Sequence, residues 1–553
     1  MKKGFPIFQI SILVLAIVSW ALFDYAFLPA YNPQSFGFWV LAGFYLAVVL
    51  FVLFMFGSAK RGAIAAALAF GGALAIATLA SVGSWLIWPG NAARYYGLLD
   101  VNERSEADFG RDFPAAGRPG TPPANGGSFL LPVVDKVLAA KIVQGKMGNY
   151  GAQFQMREDS FTAISVRRAG RETLLRVAPL DYSGLIVALT GGSRGTAGYV
   201  EVNLLTEEAR LVEVPGGMKY TPDAYFGRNL QRKVRFAHRA ALLGPYTFEV
   251  DDEGRPWWIF PVLANRVGLF GGADAIGVIL VDPVTGDSTR YDKGQEPEWV
   301  DRVVPTSVVQ AQANDRLRLG SGWMNAIIGQ KREVFQLSDG YNYVVAPAAE
   351  IGSTWFVAGV TSPNEADQTV VGFLMVNLRT KEARRYALSG ITEMRAMEIA
   401  SSDERVRAQT LESTWPVLVD VDGQAAYSLM LKNEVQRQRF VFVDVATGQK
   451  VAMGETIESA RSQFAGMIGG RAASTESLAS ASVVVLRVKE DAEGSVVFIA
   501  QGDARTLYVV PADLSNGARF LSPGDRVEIR YRDSVSSKDQ RYVADLRNLS
   551  IGE

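Results

Sequence analysis

Three long apolar stretches occupy the first 90 residues of the chain. Residues 5–23, 36–56 and 62–88 carry no charged side chain, whereas the sequence beyond them alternates between short apolar runs and polar residues. Each stretch is long enough to cross roughly 30 Å of hydrocarbon as a helix. We therefore predict three transmembrane helices within residues 1–90. A signal peptide is the alternative for the first stretch, but its apolar run exceeds a typical signal-peptide core and no small-residue cleavage site follows it.

Basic residues mark one side of these stretches. Lys2 and Lys3 precede the first stretch, Lys60 and Arg61 separate the second from the third, and residues 28–35 carry no charge. Because lysine and arginine are retained in the cytoplasm, the amino terminus is predicted to lie inside and everything after the third stretch outside. No charged residue lies at the centre of a stretch, which argues against an ion or proton path and hence against a transporter.

The region after the membrane segment contains a motif that occurs four times. Its pattern is Val, then Asn or Asp, then any two residues, then Thr, and it occupies residues 202–206, 281–285, 376–380 and 443–447. An apolar run precedes each copy. An Asn or Asp side chain can bind the amides of a tight turn, and the glycines Gly286 and Gly448 suit a left-handed turn position. Each copy therefore predicts a β-hairpin, and four copies indicate internal duplication.

A second strand and a helical pattern follow each predicted hairpin. The predicted second strands are residues 209–214, 288–292, 383–388 and 450–453, and the predicted helices are residues 223–238, 297–310, 391–409 and 456–467. The spacing is too irregular for a solenoid and favours small α+β modules packed side by side. We predict an α+β chain with the following segments: 1–90 transmembrane, 91–128 linker, 129–245 first module, 246–320 second, 321–412 third, 413–470 fourth, and 483–553 a barrel.

The carboxyl-terminal segment has a different pattern from the modules. Five short β-type runs lie within residues 483–546, and residues 470–482, rich in Ala and Ser, precede them as a linker. Five strands in about 70 residues are typical of a small OB-like barrel. Basic and acidic residues nearly balance in this segment, which disfavours nucleic acid as its ligand.

Composition excludes several kinds of chemistry. The chain of 553 residues has 56 basic and 57 acidic residues, no cysteine and one histidine, His238. Disulfides, thiolate metal sites and a histidine-rich metal centre are therefore excluded, and no net charge attracts nucleic acid. We predict no cofactor. A Gly-x-Ser-x-Gly string places Ser193 as a nucleophile for His238, but a strand, not a helix, is predicted after it, so a glycine-rich turn is favoured.

Acidic and aromatic clusters suggest further sites. Glu296, Glu298 and Asp301 favour a solvated face, and residues 251–253 favour a hairpin tip over a weak calcium site. Aromatic side chains that could line a binding groove are more often found in a core. The candidate partner-binding residues are Trp257, Trp258, Trp299 and Phe270.

The hairpin motif resembles the PepSY domain, a small α+β module of bacterial exported and membrane proteins. The closest matches are residues 281–287 (VDPVTGD) and 443–449 (VDVATGQ), while the first and third copies lack the turn glycine. Residues 217–226, 256–258, 268–272 and 298–303 resemble blocks of bacterial membrane-anchored proteins that carry PepSY-like repeats and a carboxyl-terminal barrel. PepSY domains are thought to inhibit peptidases or bind partners, so the resemblance implies interaction more than catalysis and supplies no catalytic residues.

Together these features predict a multi-pass protein of the bacterial cytoplasmic membrane. Its soluble region lies outside the cytoplasm and binds or inhibits a protein partner, with membrane lipid around the spans and no nucleic acid. Two alternatives remain open: an envelope hydrolase acting on peptide or glycan, and an accessory subunit of a membrane transport or secretion complex. Catalytic activity is the less favoured of these.

Overall fold

Three apolar helices begin the chain in the computed structural model. They are α1 (Phe5–Phe27), α2 (Phe36–Phe54) and α3 (Ala59–Trp85), and a short helix, α4 (Pro89–Tyr96), follows. The structure describes residues 5–54, 59–85, 89–106, 108–109, 139–140, 142–143, 154–156, 160–168, 171–184, 194–204, 208–329, 334–345, 354–364, 369–403, 406, 411–421, 423–433, 438–468, 479–490, 496–501, 503–510, 520–533 and 540–550.

The predicted three spans are found only in part. Within the described residues, the segment Arg61–Ser84 of α3 is long and apolar enough to cross a membrane, whereas Val14–Phe27 of α1 and Phe36–Phe51 of α2 are shorter apolar segments. The segment of α3 is almost entirely unburied by the rest of the protein, unlike a core helix. The structure thus identifies one candidate span, and the three-helix arrangement stays a prediction.

Four β-sheets make up most of the soluble region. The first contains β3 (Thr162–Arg168), β4 (Arg171–Pro179), β6 (Thr196–Asn203) and β7 (Ala209–Met218). The second contains β8 (Leu242–Leu243), β9 (Thr247–Val250), β10 (Pro256–Val267), β11 (Gly271–Val281) and β12 (Ser288–Asp292). A small two-stranded sheet pairs β2 (Phe154–Gln155) with β5 (Asp181–Tyr182).

The third and fourth sheets lie later in the chain. The third contains β1 (Val101–Arg104), β13 (Gln336–Leu337), β14 (Asn342–Val345), β15 (Thr354–Thr361), β16 (Thr369–Asn377), β17 (Ala383–Tyr386) and β18 (Gly390–Ile391). The fourth contains β19 (Glu412–Ser413), β20 (Val417–Val421), β21 (Gln424–Lys432), β22 (Gln438–Asp444) and β23 (Val451–Gly454).

Each of the four sheets contains the same run of four neighbouring strands. The runs are β3-β4-β6-β7, β9-β10-β11-β12, β14-β15-β16-β17 and β20-β21-β22-β23. Each run is followed in sequence by a helix: α5 (Leu230–Ala237), α6 (Thr306–Leu319), α7 (Glu393–Ser402) and α8 (Ile457–Met467). The hairpins predicted from the motif are the third and fourth strands of each run, so the structural unit contains two strands more than the sequence motif indicates.

The second and third hairpin turns share one hydrogen-bond pattern, and the fourth shows part of it. The Asp282 carboxylate accepts from the amides of Val284 and Thr285, and the Asn377 side chain accepts from the amides two and three residues ahead in the same way. Asp444 accepts from the amide of Thr447. The left-handed turn position is occupied by glycine, as predicted, at Gly286 (φ 76°) and Gly448 (φ 70°). Lys381 adopts it in the third copy at φ 70°.

The sheets share cores with their neighbours. Leu230 and Val234 of α5 pack between the first and second sheets, and one face of α6 packs between the second and third. The third and fourth sheets are joined by hydrogen bonds such as that from the Tyr427 hydroxyl to the Ile391 carbonyl (2.9 Å). Met430 of the fourth sheet belongs to a core cluster of the first. Contacts therefore run from each sheet to the next and from the fourth back to the first.

The chain forms two compact units, and the four sheets lie in the first, apart from the β20–β21 turn. This unit comprises residues 1–420 and 425–456, and the second comprises residues 421–424 and 457–553. The second unit includes β24 (Ala479–Glu490), β25 (Val496–Ala500), β26 (Asp503–Val510), β27 (Arg526–Asp533) and β28 (Gln540–Asn548). These strands pair in the closed order β24-β25-β26-β28-β27, with β26 and β28 parallel. Phe498 and Tyr508 stack inside this ring at 5.1 Å.

Two predicted segments differ from the structure. Residues 91–106 of the predicted linker contain α4 and β1, and β1 pairs in parallel with β17, so this stretch is folded. The helix predicted at residues 297–310 instead begins at Thr306, after Pro305 in an extended conformation at the helix start. The residues just before this helix form an irregular segment, because the amides of Val303 and Val304 both donate to the Leu378 carbonyl. Most of the predicted helix at residues 129–144 lies outside the described residues.

Candidate binding site

An open cavity of about 270 Å³ lies where the second and third sheets meet the start of α6. Its walls combine prolines and tyrosines with small hydroxyl side chains, and Arg302 is its charged lining residue. The lining residues are Pro245, Thr247, Pro261, Arg302, Val304, Pro305, Thr306, Ser307, Gln310, Tyr341 and Tyr343. We call this space the Arg302 cavity.

Arg302 is held between three sheets. Its side chain is 9% exposed, an Nη atom donates weakly to the Ala163 carbonyl of the first sheet (3.4 Å), and the guanidinium lies 4.2 Å from the centre of the Tyr343 ring. Its Nε atom has no hydrogen-bond acceptor among the described residues. This nitrogen is enclosed by protein, so a ligand in the cavity does not reach it, and its missing hydrogen bond is a cost to the fold.

Two buried carboxyl groups lie behind Arg302. Glu249 and Asp301 are both 0% exposed. The backbone amide of Asp301 donates to Glu249 Oε2 (2.9 Å), and the amide of Ser165 donates to Asp301 Oδ2 (2.6 Å). The Thr247 hydroxyl donates to Glu249 Oε1 (3.1 Å). The carboxyl groups are thereby satisfied from the protein and do not line the cavity.

Burial controls the protonation of this pair. Burial, together with the nearby charge of Glu249, raises the pKa of Asp301 to about 8. Burial also raises the pKa of Glu249, against the hydrogen bond from the Asp301 amide. The dry surroundings thus favour the neutral form of Asp301 below about pH 8.

Two tyrosines, Tyr341 and Tyr343, line part of the cavity. The rings of Tyr341 and Tyr343 meet edge to face at 5.4 Å, and the Tyr343 hydroxyl lies 2.9 Å from the Thr306 hydroxyl. Burial raises the pKa of Tyr341 to about 12, and Tyr343 adds to the effect. Burial alone would raise the pKa of Tyr343, but the Arg302 guanidinium and the Thr306 hydroxyl hold it below its ordinary value. Tyr341 therefore stays a neutral hydroxyl that can donate to a bound group.

This arrangement suits binding better than acid–base catalysis. A cation beside hydroxyl groups and aromatic walls is the kind of chemistry that binds an anionic group such as a carboxylate. A general acid or base must reach the substrate directly, and Glu249 and Asp301 are sealed away from the cavity. The charge of Arg302 is therefore available to a ligand while the carboxyl groups only support it.

The structure separates the four aromatic residues predicted to bind a partner. Trp258 is 3% exposed, donates to the Tyr220 carbonyl (3.0 Å) and packs in the core, so it cannot line a surface groove. Trp257 and Trp299 do come together, half-buried, with ring centres 5.8 Å apart. Phe270 packs against Phe36 of α2 instead.

The other candidates from the sequence have structural roles. His238 Nε2 lies 2.9 Å from the Ser288 hydroxyl, and burial, with Arg290 nearby, lowers its pKa. Ser193 lies outside the described residues. Asp251 is buried and accepts from the Arg255 amide and guanidinium (both 2.8 Å), in the turn between the paired strands β9 and β10, where a hairpin tip was favoured over a weak calcium site. Across the described ranges, no group of three or more potential ligand residues could hold a metal ion.

The acidic residues at positions 296–301 directly precede Arg302, although their local sequence pattern did not indicate a site there. A solvated face was predicted there, but Asp301 is fully buried, and Glu296 is 7% exposed and pairs with Arg379 (3.4 Å). Their burial depends on Ser165 and Arg379, which are distant in sequence. Charged residues between two prolines, Pro297 and Pro305, were the one local signal for an irregular buried segment.

Comparisons with known proteins identify no relative of the chain. No family model matches it, and neither a curated protein nor a solved structure does. The resemblance to PepSY domains therefore remains a prediction that rests on the hairpin motif.

Proposed function

We propose that this chain is a membrane-anchored binding protein of the bacterial cytoplasmic membrane, with its soluble region outside the cytoplasm. In this proposal α1, α2 and α3 each cross the bilayer, with the amino terminus inside. The PepSY-like modules form a scaffold that binds or inhibits a protein partner, for example a peptidase. The Arg302 cavity is the recognition site within that scaffold.

Contacts at one end of the helices support the proposed orientation. The loop between α1 and α2 binds the soluble region, since the Tyr31 amide donates to the Arg239 carbonyl (2.8 Å) and the Gln34 side chain to the Asn265 carbonyl (3.0 Å). At the end of α3, the Ser84 hydroxyl accepts from the amides of Leu269 and Phe270 (2.8 and 3.0 Å). An uncharged loop and the end of α3 on the same side as the soluble region are what three crossings require.

The β10–β11 turn packs closely against the residues at the end of α3. A Cβ atom on Gly268 would lie 2.3 Å from the Ser84 hydroxyl, and one on Gly271 would lie 2.3 Å from the Tyr95 hydroxyl. The β10–β11 turn thus approaches the end of α3 closely because its residues lack side chains. This explains why the predicted block at residues 268–272 is rich in glycine, and it supports a fixed attachment of the second sheet to the helices.

Arg302, the one charged residue among the described residues that line the cavity, is the observation that carries the binding role. A partner that inserts a carboxylate, from its carboxyl terminus or an acidic side chain, would place a negative charge beside the guanidinium. A charge-assisted hydrogen bond of this kind contributes about 1.5–3 kcal/mol. The hydroxyl groups of Thr306 and Tyr341 are placed to bind the second oxygen or the neighbouring amide.

The ring of β24–β28 supports an OB-like carboxyl-terminal barrel within the same proposal. Its closed order leaves no free strand edge, which suits a soluble domain that must resist aggregation. We propose a protein-binding or capping role for it, since the balanced charge of the segment disfavours nucleic acid.

One alternative function has support of its own. A cavity of about 280 Å³ between α1 and α2 is lined almost wholly by apolar side chains, among them Trp20, Leu41 and Tyr45. Such a groove favours packing against a further membrane helix, as expected of an accessory subunit of a membrane complex. A hydrolase is favoured less, because the buried carboxyl pair does not reach the Arg302 cavity.

Blocking the Arg302 cavity tests the proposal. Ser307 is exposed at the cavity wall, so Ser307→Trp fills the space without touching the charged cluster. Thr289 is an exposed residue on β12 away from the cavity, and Thr289→Trp is the matched control. Full-length tagged protein is extracted in mild detergent, and co-purifying proteins are quantified by mass spectrometry.

We expect a stoichiometric partner with the wild type and with Thr289→Trp, and at least a tenfold loss with Ser307→Trp. A partner retained equally by both variants would place the binding surface elsewhere. If folded wild-type protein recovers no partner at all, the scaffold proposal fails and a substrate screen on the soluble region replaces it.

A further inference from the structure

The helix α5 and its flanking residues form a strongly basic segment. Residues 228–239 hold five lysine or arginine side chains and no aspartate or glutamate. Within the part of the chain that the structure describes, Arg228, Arg232 and Lys233 form no ion pair with a carboxylate. Arg235 is part-buried and donates to the Ala241 carbonyl (2.6 Å), so it serves the fold. The segment therefore presents an excess of positive charge.

This basic segment lies beside the last turn of α1. The Arg232 guanidinium lies 4.0 Å from the centre of the Tyr25 ring, and its Nε donates to the Tyr25 carbonyl (3.2 Å). The Phe236 ring lies 6.3 Å from that of Tyr25, and Arg239 pairs with Asp24 (2.7 Å). Arg232 and Phe236 share one face of α5, and Arg239 follows its carboxyl end, so this segment lies beside the point where α1 leaves its apolar stretch.

Exposed aromatic side chains accompany the charges. Tyr225 is 44% exposed, Phe226 67% and Phe236 37%. Phe226 adopts φ 54°, a left-handed conformation that is costly for an aromatic residue. Such side chains beside the end of a membrane helix are the kind that anchor proteins in the headgroup region of a bilayer.

A cavity of about 560 Å³ opens at the same place. Polar groups of Tyr25, Tyr182, Tyr225, Asn229 and Arg232 line it, and Asp223 adds one carboxylate. Its size exceeds that of a single phosphate and suits a phosphate with attached polar groups. Arg232 and Tyr25 join this cavity to the surface of α1, along which an acyl chain could extend.

We propose that this cavity and the basic face of α5 bind the headgroup of an anionic phospholipid from the leaflet that surrounds the end of α1. Arg232, which lines the cavity, faces the phosphate, Lys233 adds positive charge on the neighbouring face of α5, and Phe226 and Phe236 insert among the headgroups. The inference rests on the proposed membrane location, and it adds a lipid ligand that the partner-binding function does not require. Lipid is the favoured occupant because the positive charge of α5 would lie at the membrane surface, beside the end of α1.

The test measures lipid binding by purified full-length protein. Native mass spectrometry in detergent follows titration with phosphatidylglycerol, with phosphatidylcholine of the same acyl chains, and with glycerol 3-phosphate. One variant combines Arg228→Gln, Arg232→Gln and Lys233→Gln. The matched control combines Arg318→Gln, Arg395→Gln and Arg530→Gln, which remove three exposed arginines outside the basic segment.

Phosphatidylglycerol is expected to bind the wild type and the control variant alike, and roughly a hundredfold more weakly to the α5 variant, since each basic residue near the headgroups contributes about a fivefold factor. Lys233→Gln alone, which leaves the contacts of Arg232 in place, is expected to cost about fivefold and serves if the triple variant fails to fold.

Equal binding of phosphatidylcholine, equal binding of free glycerol 3-phosphate, or an equal loss in both triple variants would each overturn the proposal. None of these results affects the membrane location, which is tested separately by maleimide labelling of single introduced cysteines. A soluble region found inside the cytoplasm would instead remove the proposed function, while the lipid titration would still report whether the site exists.

Discussion

Arg302 is the residue on which the binding proposal depends most, and its surroundings explain how a buried cation is tolerated. Ala163, Glu249 and Tyr343 bring contacts from three different sheets. Removing a charge from water costs several kcal/mol unless a counter-charge and hydrogen bonds compensate. Burial alone would lower the pKa of Arg302, but Tyr343, Glu249 and Asp301 together hold it above its ordinary value, so Arg302 keeps its charge.

The protonation of Asp301 leads to a prediction about pH. Its pKa in the folded protein is about 8, above its ordinary value of 3.8. Between about pH 4 and pH 8 the folded protein holds a proton that the unfolded chain has released, so this group makes stability fall as pH rises through that window. Asp301→Asn keeps a neutral, hydrogen-bonding side chain beside Ser165 and should remove that part of the slope.

Thermal unfolding midpoints measured from pH 5 to pH 8 check this expectation. The midpoint of Asp301→Asn should fall less with rising pH than that of the wild type, and at pH 8 it should be at least as high. Parallel curves for the two proteins would show that Asp301 is already ionised when folded, which would contradict a pKa near 8 for this group.

Few of the site residues could have been predicted from the sequence. Asp301 and Arg302 are charged residues in a polar stretch, where solvent exposure is the usual outcome. Their burial depends on Ser165 and Tyr343, which lie 136 and 41 positions away along the chain. Of the candidate partner-binding residues, Trp257 and Trp299 lie side by side, whereas Trp258 points to the opposite face of the same strand as Trp257 and enters the core.

At the scale of elements, the repeated turn is the feature that sequence reasoning predicted best. A turn is specified locally, by an Asp or Asn that binds the next amides and a residue that accepts positive φ. The five strands of the carboxyl-terminal segment were also located, because alternation marks half-buried strands. The first two strands of each four-strand run were harder to predict, since strands such as β20 and β15 are buried on both faces and show no alternation.

The turn glycine gives a prediction at this scale. Gly286 (φ 76°) lies against the Tyr220 ring, where an added Cβ would approach to 2.6 Å, whereas Gly294 (φ 87°) has no atom within 4 Å of that position. Gly294→Ala should therefore cost only the left-handed conformation, about 1–2 kcal/mol. Gly286→Ala adds a steric clash of about 1–3 kcal/mol.

Denaturant unfolding of the two variants separates the cost of the left-handed conformation from the cost of the steric clash. A clearly lower midpoint for Gly286→Ala than for Gly294→Ala is expected, with the wild type above both. Equal midpoints would mean that Tyr220 moves aside freely and that the first and second hairpins are not packed as tightly as described.

At the scale of the whole molecule, the order of the sheets and their common cores could not be predicted from the sequence. The motif indicated four modules, but it gave no sign that the helix after one sheet packs between that sheet and the next. Nor did it show that Met430 of the fourth sheet returns to the first. These contacts join residues separated by hundreds of positions, and the apolar pattern of each strand is satisfied by any neighbouring core.

The membrane arrangement is the central claim, and the absence of native cysteine makes it directly measurable. Thr289→Cys places one thiol on an exposed position of the soluble region, and Ser58→Cys places one in the sequence between the second and third apolar stretches. Each single-cysteine protein is treated with a membrane-impermeant maleimide in intact cells whose cytoplasmic membrane is accessible, and again after lysis.

The account predicts that Cys introduced at position 289 is labelled in intact cells, whereas that at position 58 is labelled only after lysis. The reverse pattern would place the soluble region in the cytoplasm. Labelling of both positions in intact cells would mean that the chain between them does not cross the membrane, and either result would contradict the proposed function.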